Sequence, residues 1–233
     1  MDVKLRTLPN QVAGVLVRRI AGGELADGPV PSEQEISLEF GVSRAVVREA
    51  LKILRALDMV EIAQGRRVTL RPAAEWDYLS PLLYDWLPPD QVDRILHELH
   101  AARLILEPAI AAQAAWAISD AILARLAELL EAMAAHEHDP DQYLELDLDF
   151  HMTICRATQN RIIDRFMYSS RCWQSASRRM TNQLPRALPL ATAGHRAIYD
   201  ALAARDPKRA ETAMREHLMR NRLFVTPDDA KAR

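Results

Sequence analysis

The sequence predicts a mainly α-helical protein of two domains with one small β-hairpin. Apolar residues recur at helical spacing through most of the chain, and only a short segment near residues 60–70 favours strands. The length of 233 residues exceeds a typical single domain, and a hydrophobic content of 49% is ample for buried cores. We therefore expect a small N-terminal domain followed by an all-α antiparallel helical bundle.

The segment of residues 31–70 has the pattern of a helix, a tight turn, a second helix and a hairpin. Ser32 is a good N-cap for the first helix, Gly41 ends it, and Ser43 can cap the second. In the second helix the apolar residues share one face and the basic residues lie elsewhere. This division is typical of a recognition helix, whose first side chains reach base edges while its back packs on the domain. The segment therefore predicts a winged helix-turn-helix with a small β wing.

Several residues of this segment are candidates for contacting DNA. Arg44 and Arg48 are the base-reading candidates, and the wing is expected to touch phosphate or the minor groove. The full set is Ser43, Arg44, Ala45, Arg48, Gln64, Gly65 and Arg66. From the pattern alone, an ordinary pair of helices with solvated arginines remains an alternative.

Composition excludes several classes of protein. The two cysteines, Cys155 and Cys172, occur in a chain without a secretory signal pattern and without an apolar run near the roughly 18 residues that a membrane span requires. We expect a cytoplasmic protein that does not contact the membrane. Internal repeats and low-complexity tracts are also absent from the sequence, which disfavours solenoid, fibrous and disordered classes.

The predicted domains are residues 1–71 for the winged helix-turn-helix, 72–90 for a proline-rich linker that docks through aromatic residues, 91–226 for the helical domain, and 227–233 for a tail. Pro108 is expected to kink the first helix of the bundle after Glu107. The helices of the second domain are predicted at about residues 91–117, 120–136, 140–158, 160–181, 186–204 and 207–224.

Four residues of the helical domain have the pattern of a metal site. Asp147 and His151 are spaced i, i+4 and so share one helix face, and His195 and His217 lie on two later helices. Three imidazoles and one carboxylate suit a divalent metal: we expect Zn²⁺ first, with Ni²⁺, Mn²⁺ or Fe²⁺ as alternatives. Single histidines are more often surface or core residues, and we interpret the remaining four, His97, His100, His136 and His138, in that way.

Two regions of the sequence, one in each predicted domain, resemble a known family. The run PSEQ, then VSRAVVREAL, then a Gly-centred wing resembles the N-terminal domain of GntR transcription regulators. Gln34 departs from this pattern, because the family usually has a DNA-contacting arginine there, and Arg67 replaces a common second glycine. The runs LDLDFHMTICRATQN and AGHRAIYDALAARDPKRAETAMREHL resemble the effector domain of the FadR-type subfamily. That resemblance implies that Asp147, His151, His195 and His217 are metal ligands.

The resemblance also implies an effector site. Arg103, in an Arg-x-x-x-Glu pattern with Glu107, matches an arginine that faces the effector cavity, and Asn160 matches an asparagine close to it. An i, i+4 surface ion pair and a helix-capping role are the respective alternatives. A guanidinium suits a carboxylate ligand, and the segment after the wing is most similar to the sugar-acid branch of the subfamily. Lactate, other small carboxylates and fatty-acyl groups remain open.

Together these patterns predict a ligand-responsive transcription regulator, a repressor that binds palindromic operator DNA as a homodimer and leaves it when a carboxylate effector binds near the metal. We do not expect an enzyme, because the sequence offers no separate general base, phosphate-binding glycine loop or catalytic triad in a recognisable context. A metal-dependent enzyme, a sensor of the metal itself and a purely structural metal site are the alternatives.

Overall fold

The computed structural model describes residues 7–25, 30–63, 67–184 and 186–220. They divide into two units, residues 1–92 and 93–233, and the predicted linker lies within the first. The first unit contains a short 3₁₀ turn at Ala73–Glu75 and the following elements: α1 Leu8–Ala21, α2 Glu33–Phe40, α3 Arg44–Ala56, β1 Val60–Glu61, β2 Thr69–Leu70 and α4 Pro81–Trp86.

The second unit is all helical in its described part. Its first helix, α5, begins at Pro89, just before the boundary, and ends at Ala117. The other helices are α6 Asp120–Ala135, α7 Pro140–Ala157, α8 Arg161–Ser169, α9 Arg171–Thr181, α10 Ala187–Ala203 and α11 Pro207–Arg220. This architecture confirms the predicted fold class. None of the described helices has the length and apolar character needed to cross a membrane.

Local hydrogen bonds fix the helix-turn-helix. The Ser32 hydroxyl accepts from the Glu35 amide at 3.3 Å, and the Glu35 carboxylate accepts from the Ser32 amide at 2.7 Å, which forms a capping box. Gly41 ends α2 in the left-handed region with φ of 62°, where glycine avoids the strain of a side chain. Ser43 then caps α3 by accepting from the Val46 amide at 3.4 Å. The predicted start and end of α2 and the predicted start of α3 are confirmed.

The hairpin after α3 is short. β1 pairs antiparallel with β2, with Val60 opposite Leu70 and Glu61 opposite Thr69. The predicted wing residues Gln64, Gly65 and Arg66 lie outside the described residues. The described strands therefore support a small β-hairpin at the predicted place.

The segment after the hairpin packs on α1 through one tryptophan. Trp86, at the end of α4, is 1% exposed, and a Cβ atom built on Gly14 would lie 2.9 Å from the Trp86 Nε1 atom. Helix α4 was not predicted, since the prolines around it suggested an irregular linker. The glycine is needed because α1 and the indole approach too closely for any side chain at this position.

The bundle of the second unit differs from the prediction at one break. The predicted helix of residues 160–181 is two helices, α8 and α9, separated at Ser170, whose hydroxyl donates to the Met167 carbonyl at 2.9 Å. A serine that hydrogen-bonds to nearby backbone competes with helix continuation. Helix α5 continues past Pro108 without interruption, and the predicted kink there stays a prediction.

Gly14→Ala is expected to lower the free energy of unfolding by about 1–3 kcal/mol, because the new methyl group overpacks against Trp86. In a Trp86→Ala background the same substitution should instead stabilise the protein slightly, since alanine favours a helix interior more than glycine does. Urea denaturation of the four proteins of this double-mutant cycle, followed by circular dichroism, measures both values. An equal effect of Gly14→Ala in both backgrounds would contradict the close contact as its cause.

Candidate metal centre and DNA-reading surface

The four predicted metal ligands come together in the interior of the second unit. Asp147 and His151 lie one turn apart on α7, His195 on α10 and His217 on α11, with exposed fractions of 5%, 2%, 0% and 3%. One potential ligand atom from each residue lies within 4.8 Å of the others. The other four histidines, His97, His100, His136 and His138, do not belong to this group.

The distances among three of these side chains suit a shared ion. The Asp147 Oδ1 atom lies 2.8 Å from His195 Nε2 and 3.6 Å from His151 Nε2, and the two Nε2 atoms are 3.3 Å apart. Donor atoms that bind one ion at about 2.1 Å are separated by roughly 3.0–3.4 Å in octahedral or tetrahedral geometry. The cluster therefore fits a divalent metal, with nitrogen and carboxylate donors that several transition metals accept.

A second set of contacts orients the imidazoles. His151 Nδ1 donates to Glu107 Oε2 at 2.6 Å, and the other oxygen of Glu107 accepts from Arg103 Nε at 2.6 Å. His195 Nδ1 lies 3.4 Å from the Tyr143 hydroxyl. Engaging the outer nitrogen of a histidine in this way leaves Nε2 available for a metal.

Gly194 allows the fourth ligand to approach. A Cβ atom at Gly194 would lie 2.5 Å from His217 Nδ1, so any side chain there would displace that imidazole. The rings of His195 and His217 have centroids 4.2 Å apart. The small residue immediately before His195 thus lets α11 bring His217 beside it.

The protonation states also suit a metal. Burial lowers the pKa of both His195 and His217, which keeps these imidazoles neutral. Burial alone would raise the pKa of Asp147, but the Arg178 guanidinium and the hydrogen bonds from the histidines hold it well below its ordinary value. Burial likewise opposes ionisation of Glu107, and the neighbouring Arg103 and His151 lower its pKa. Both carboxylates are therefore negatively charged.

The two predicted effector residues lie in different places. Arg103 lines a small cavity beside the cluster, together with Asp147, Ser177, Arg178, Thr181, Asn182, Ala191 and His217. The Asn160 side chain caps α8 by accepting from the amides of residues 162 and 163 at 3.0 and 3.3 Å, and it lines a separate apolar cavity of about 520 Å³. Effector binding by either residue stays a prediction. Cys155 lies in the hydrophobic core.

One charged residue of the site was missed by the sequence analysis. Arg178 is 5% exposed, its Nε atom contacts Asp147 Oδ2, and its Nη1 atom donates to Gln174 Oε1 at 3.0 Å. Its neighbour Arg179 is exposed and pairs with Asp141 at 2.6 Å. The only available signal was helical spacing, which puts Arg178 on the same face of α9 as the buried Gln174.

The predicted base-reading residues lie at the exposed start of α3. Arg44 Nη2 donates to Gln34 Oε1 at 3.0 Å, and Arg48 Nε donates to Glu33 Oε2 at 2.9 Å. Ser43 and Ala45 are exposed beside them. Contacts of this kind between exposed side chains are weak, so the arginines can exchange them for phosphate or base edges. The surface fits DNA contact, which stays a prediction for each residue.

Two family models match this chain, one in each of its two units. Residues 8–70 match the model described as bacterial regulatory proteins, gntR family, and residues 98–220 match the FCD domain. The galactonate operon transcriptional repressor of Escherichia coli is 27% identical over 88% of this chain and 90% of its own length. The transcriptional repressor NanR of Cronobacter sakazakii is 31% identical over 95% of this chain and 85% of its own length. The transcriptional regulator LutR of Bacillus subtilis is 31% identical over 85% of this chain and 92% of its own length.

Solved structures have the same fold. The Lar protein of Listeria monocytogenes, which is described as controlling expression of the agr system, aligns with a TM-score of 0.61 at 20% identity and covers 94% of this chain and 96% of its own. A GntR protein of Streptococcus agalactiae aligns with a TM-score of 0.51 at 25% identity, over 91% of this chain and 98% of its own. With its helix-turn-helix and its FCD domain, the chain belongs to the GntR family of bacterial regulatory proteins.

Proposed function

We propose that this GntR-family regulator is a metal-containing repressor that releases operator DNA when a small carboxylate, in particular a sugar acid, binds beside the metal. The observation that carries the proposal is the buried group of one carboxylate and three imidazoles, with two Nε2 atoms 3.3 Å apart and facing one Asp147 oxygen. A buried cluster of this composition has little use as hydrophobic core, because desolvating so many polar groups is costly.

The proposed metal ligands are Asp147, His151, His195 and His217. Zn²⁺ is the metal we propose, and Ni²⁺, Mn²⁺ and Fe²⁺ suit the same donors. When bound, the ion supplies a positively charged position for a carboxylate or hydroxyl oxygen. Glu107 holds the outer nitrogen of His151, and Arg103 holds Glu107, so both act as positioning residues for the cluster.

The proposed effector site is the cavity beside the cluster, with Arg103 in its wall. Guanidinium groups bind carboxylates in a planar, two-point arrangement, which suits an acid. The named role of one relative in a galactonate operon favours a sugar acid. Asn160 is the second proposed effector residue, and its role would require the ligand to reach the start of α8.

DNA recognition is proposed for Ser43, Arg44, Ala45 and Arg48, with Gln64, Gly65 and Arg66 from the wing. One winged helix-turn-helix covers a half-site of DNA, so we propose that a homodimer binds a palindromic operator. We propose that it acts in the bacterial cytoplasm. Effector binding would favour a conformation of the helical domain in which the two DNA-binding domains of the dimer no longer match the spacing of the half-sites. By linkage, the effector would then bind more weakly to the DNA-bound form.

The alternative of a metal-dependent enzyme is not favoured. The matching family and the named relatives are transcription regulators, not enzymes. A sensor of the metal itself would use the same four ligands. It would differ in that the metal alone, without an organic acid, changes its affinity for DNA.

Arg44→Ala and Arg48→Ala are each expected to weaken specific operator binding by about 10- to 100-fold, because a good two-point base contact contributes about 1–3 kcal/mol. Fluorescence anisotropy with an operator selected from random DNA by the wild-type protein measures the loss. Arg125→Ala is the control, since Arg125 is exposed and pairs with Glu128 on the same helix, α6. Wild-type operator affinity in both the Arg44→Ala and the Arg48→Ala variant would contradict the assignment of this surface to DNA binding.

Adding Zn²⁺ to metal-free protein is expected to raise its melting temperature, because a ligand of the native state stabilises it, by about 2.7 kcal/mol at a hundred times the dissociation constant. His195→Ala should lose this metal-dependent rise, whatever its own melting temperature. His138→Ala is the matched control and should keep it. Differential scanning calorimetry with and without chelator makes the comparison, and an equal Zn²⁺ response in all three proteins would rule out this site.

A sugar acid that is the effector is expected to weaken operator affinity of the Zn²⁺-loaded protein by about tenfold or more, which corresponds to a coupling free energy of about 1.4 kcal/mol. Arg103→Gln should reduce the response, because the acid loses a cationic partner. Anisotropy titrations across a panel of aldonic, aldaric and other hydroxy acids measure the response. Operator affinity that follows Zn²⁺ alone and ignores every acid would favour the metal sensor.

A further inference from the structure

The cavity beside the cluster contains an unsatisfied charged donor. Arg178 is 5% exposed, yet its Nη2 atom has no hydrogen-bond partner among the described residues, while Nε and Nη1 are engaged by Asp147 and Gln174. A buried donor without a partner is costly, and more so when it is charged. The free guanidinium nitrogen therefore marks a place where an acceptor group of a ligand would be stabilised.

A second unsatisfied donor lies on the same wall. The amide nitrogen of Asn182 is buried and also lacks a partner within the described part of the chain. Arg178 and Asn182 line the cavity together with the hydroxyl residues Ser177 and Thr181. Two free donors and the Ser177 hydroxyl suit a ligand rich in acceptors, such as a hydroxylated acid, whereas the Thr181 hydroxyl already donates to the Arg178 carbonyl at 3.0 Å.

The charges of the buried groups around the cavity indicate how much negative charge a ligand must carry to leave the interior neutral. Asp147 and Glu107 carry two negative charges, and Arg178 and Arg103 carry two positive charges, so the buried groups balance. Imidazoles bind a metal in their neutral form, and a divalent ion therefore adds two uncompensated positive charges. A monocarboxylate would leave one of them in the interior, whereas a dicarboxylate would leave none. Uncompensated buried charge is strongly unfavourable.

We propose that Arg178 binds a second anionic group of the effector through Nη2, so that the site selects hydroxylated dicarboxylates such as aldaric acids over the aldonic acids of the same length. The inference rests on the proposed function and narrows its effector class. Arg178 keeps its Nε contact with Asp147, whose other oxygen faces the imidazoles. It is thus a specificity-determining residue that links the metal ligand to the effector.

The cavity must open to accept such a ligand. Its free volume is about 10 Å³, which is roughly the space of one water molecule. Asn182 lies immediately after the end of α9 and is only half-buried, whereas the other lining residues are buried, so a ligand would enter the cavity past Asn182. Arg178, by contrast, is held from within the helix and remains in place.

Isothermal titration of the full-length, Zn²⁺-loaded protein with two matched pairs, gluconate with glucarate and galactonate with galactarate, tests the proposal. We expect at least one dicarboxylate to bind about tenfold or more tightly than its monocarboxylate partner, since a hydrogen bond to a charged group is worth about that factor. In Arg178→Gln the preference should fall to about twofold or less. Arg179→Gln, which changes the exposed neighbour, should retain the full preference.

The outcomes separate this inference from the proposed function. If the wild-type protein binds the monocarboxylates as tightly as the dicarboxylates, the inference is overturned while a sugar-acid effector still stands. If none of the four acids binds, the inference is also overturned, and the anisotropy titrations with the wider panel of acids decide the proposed function separately. A preference that survives in folded Arg178→Gln also overturns the role of Arg178. The wild-type comparison decides the ligand class even if a variant fails to fold, and circular dichroism identifies that case.

Discussion

The helical domain depends on two buried carboxylates and the groups that hold their charge. Glu107 lies between Arg103 and His151, and Asp147 lies between Arg178 and the imidazoles of His151 and His195. These contacts join α5, α7, α9 and α10 in the interior, where removal of one partner of an ion pair leaves an uncompensated charge that costs about 3–5 kcal/mol. The same contacts that orient the candidate metal ligands therefore also constrain how the four helices pack.

The two candidate sites use charge in opposite ways. Arg44 and Arg48 form exposed contacts with α2, and such pairs contribute little to stability and exchange readily. Arg103 and Arg178 are buried, and their partners are fixed by the fold. An exposed arginine suits a surface that must bind and release DNA, whereas a buried arginine with fixed partners suits the proposed recognition of a small acid.

Much of the fold was predictable because its signals are local. Ser32 and Gly41 determine the ends of α2 through their own backbone and side-chain geometry, and the Asp139 side chain caps α7 just before Pro140. The convergence of His195 and His217 with α7 could not follow from spacing alone, and its prediction came from the family resemblance. Arg178 was not identified, because a buried and an exposed arginine look the same in a sequence until the packing around them is known.

The close packing at Gly194 explains why the family resemblance was needed to identify the group of four candidate metal ligands. His217 reaches its place because Gly194 has no side chain, and nothing in the sequence pattern of α10 indicates that another helix crosses there. Close approach of two helices is a property of the pair, so neither helix reveals it alone. The result is a buried interior site in which the carboxylates, the imidazoles and the arginines interact with little solvent screening. In such a site an excess charge that no ligand meets is costly, and this is the physical basis of the proposed response to an anion.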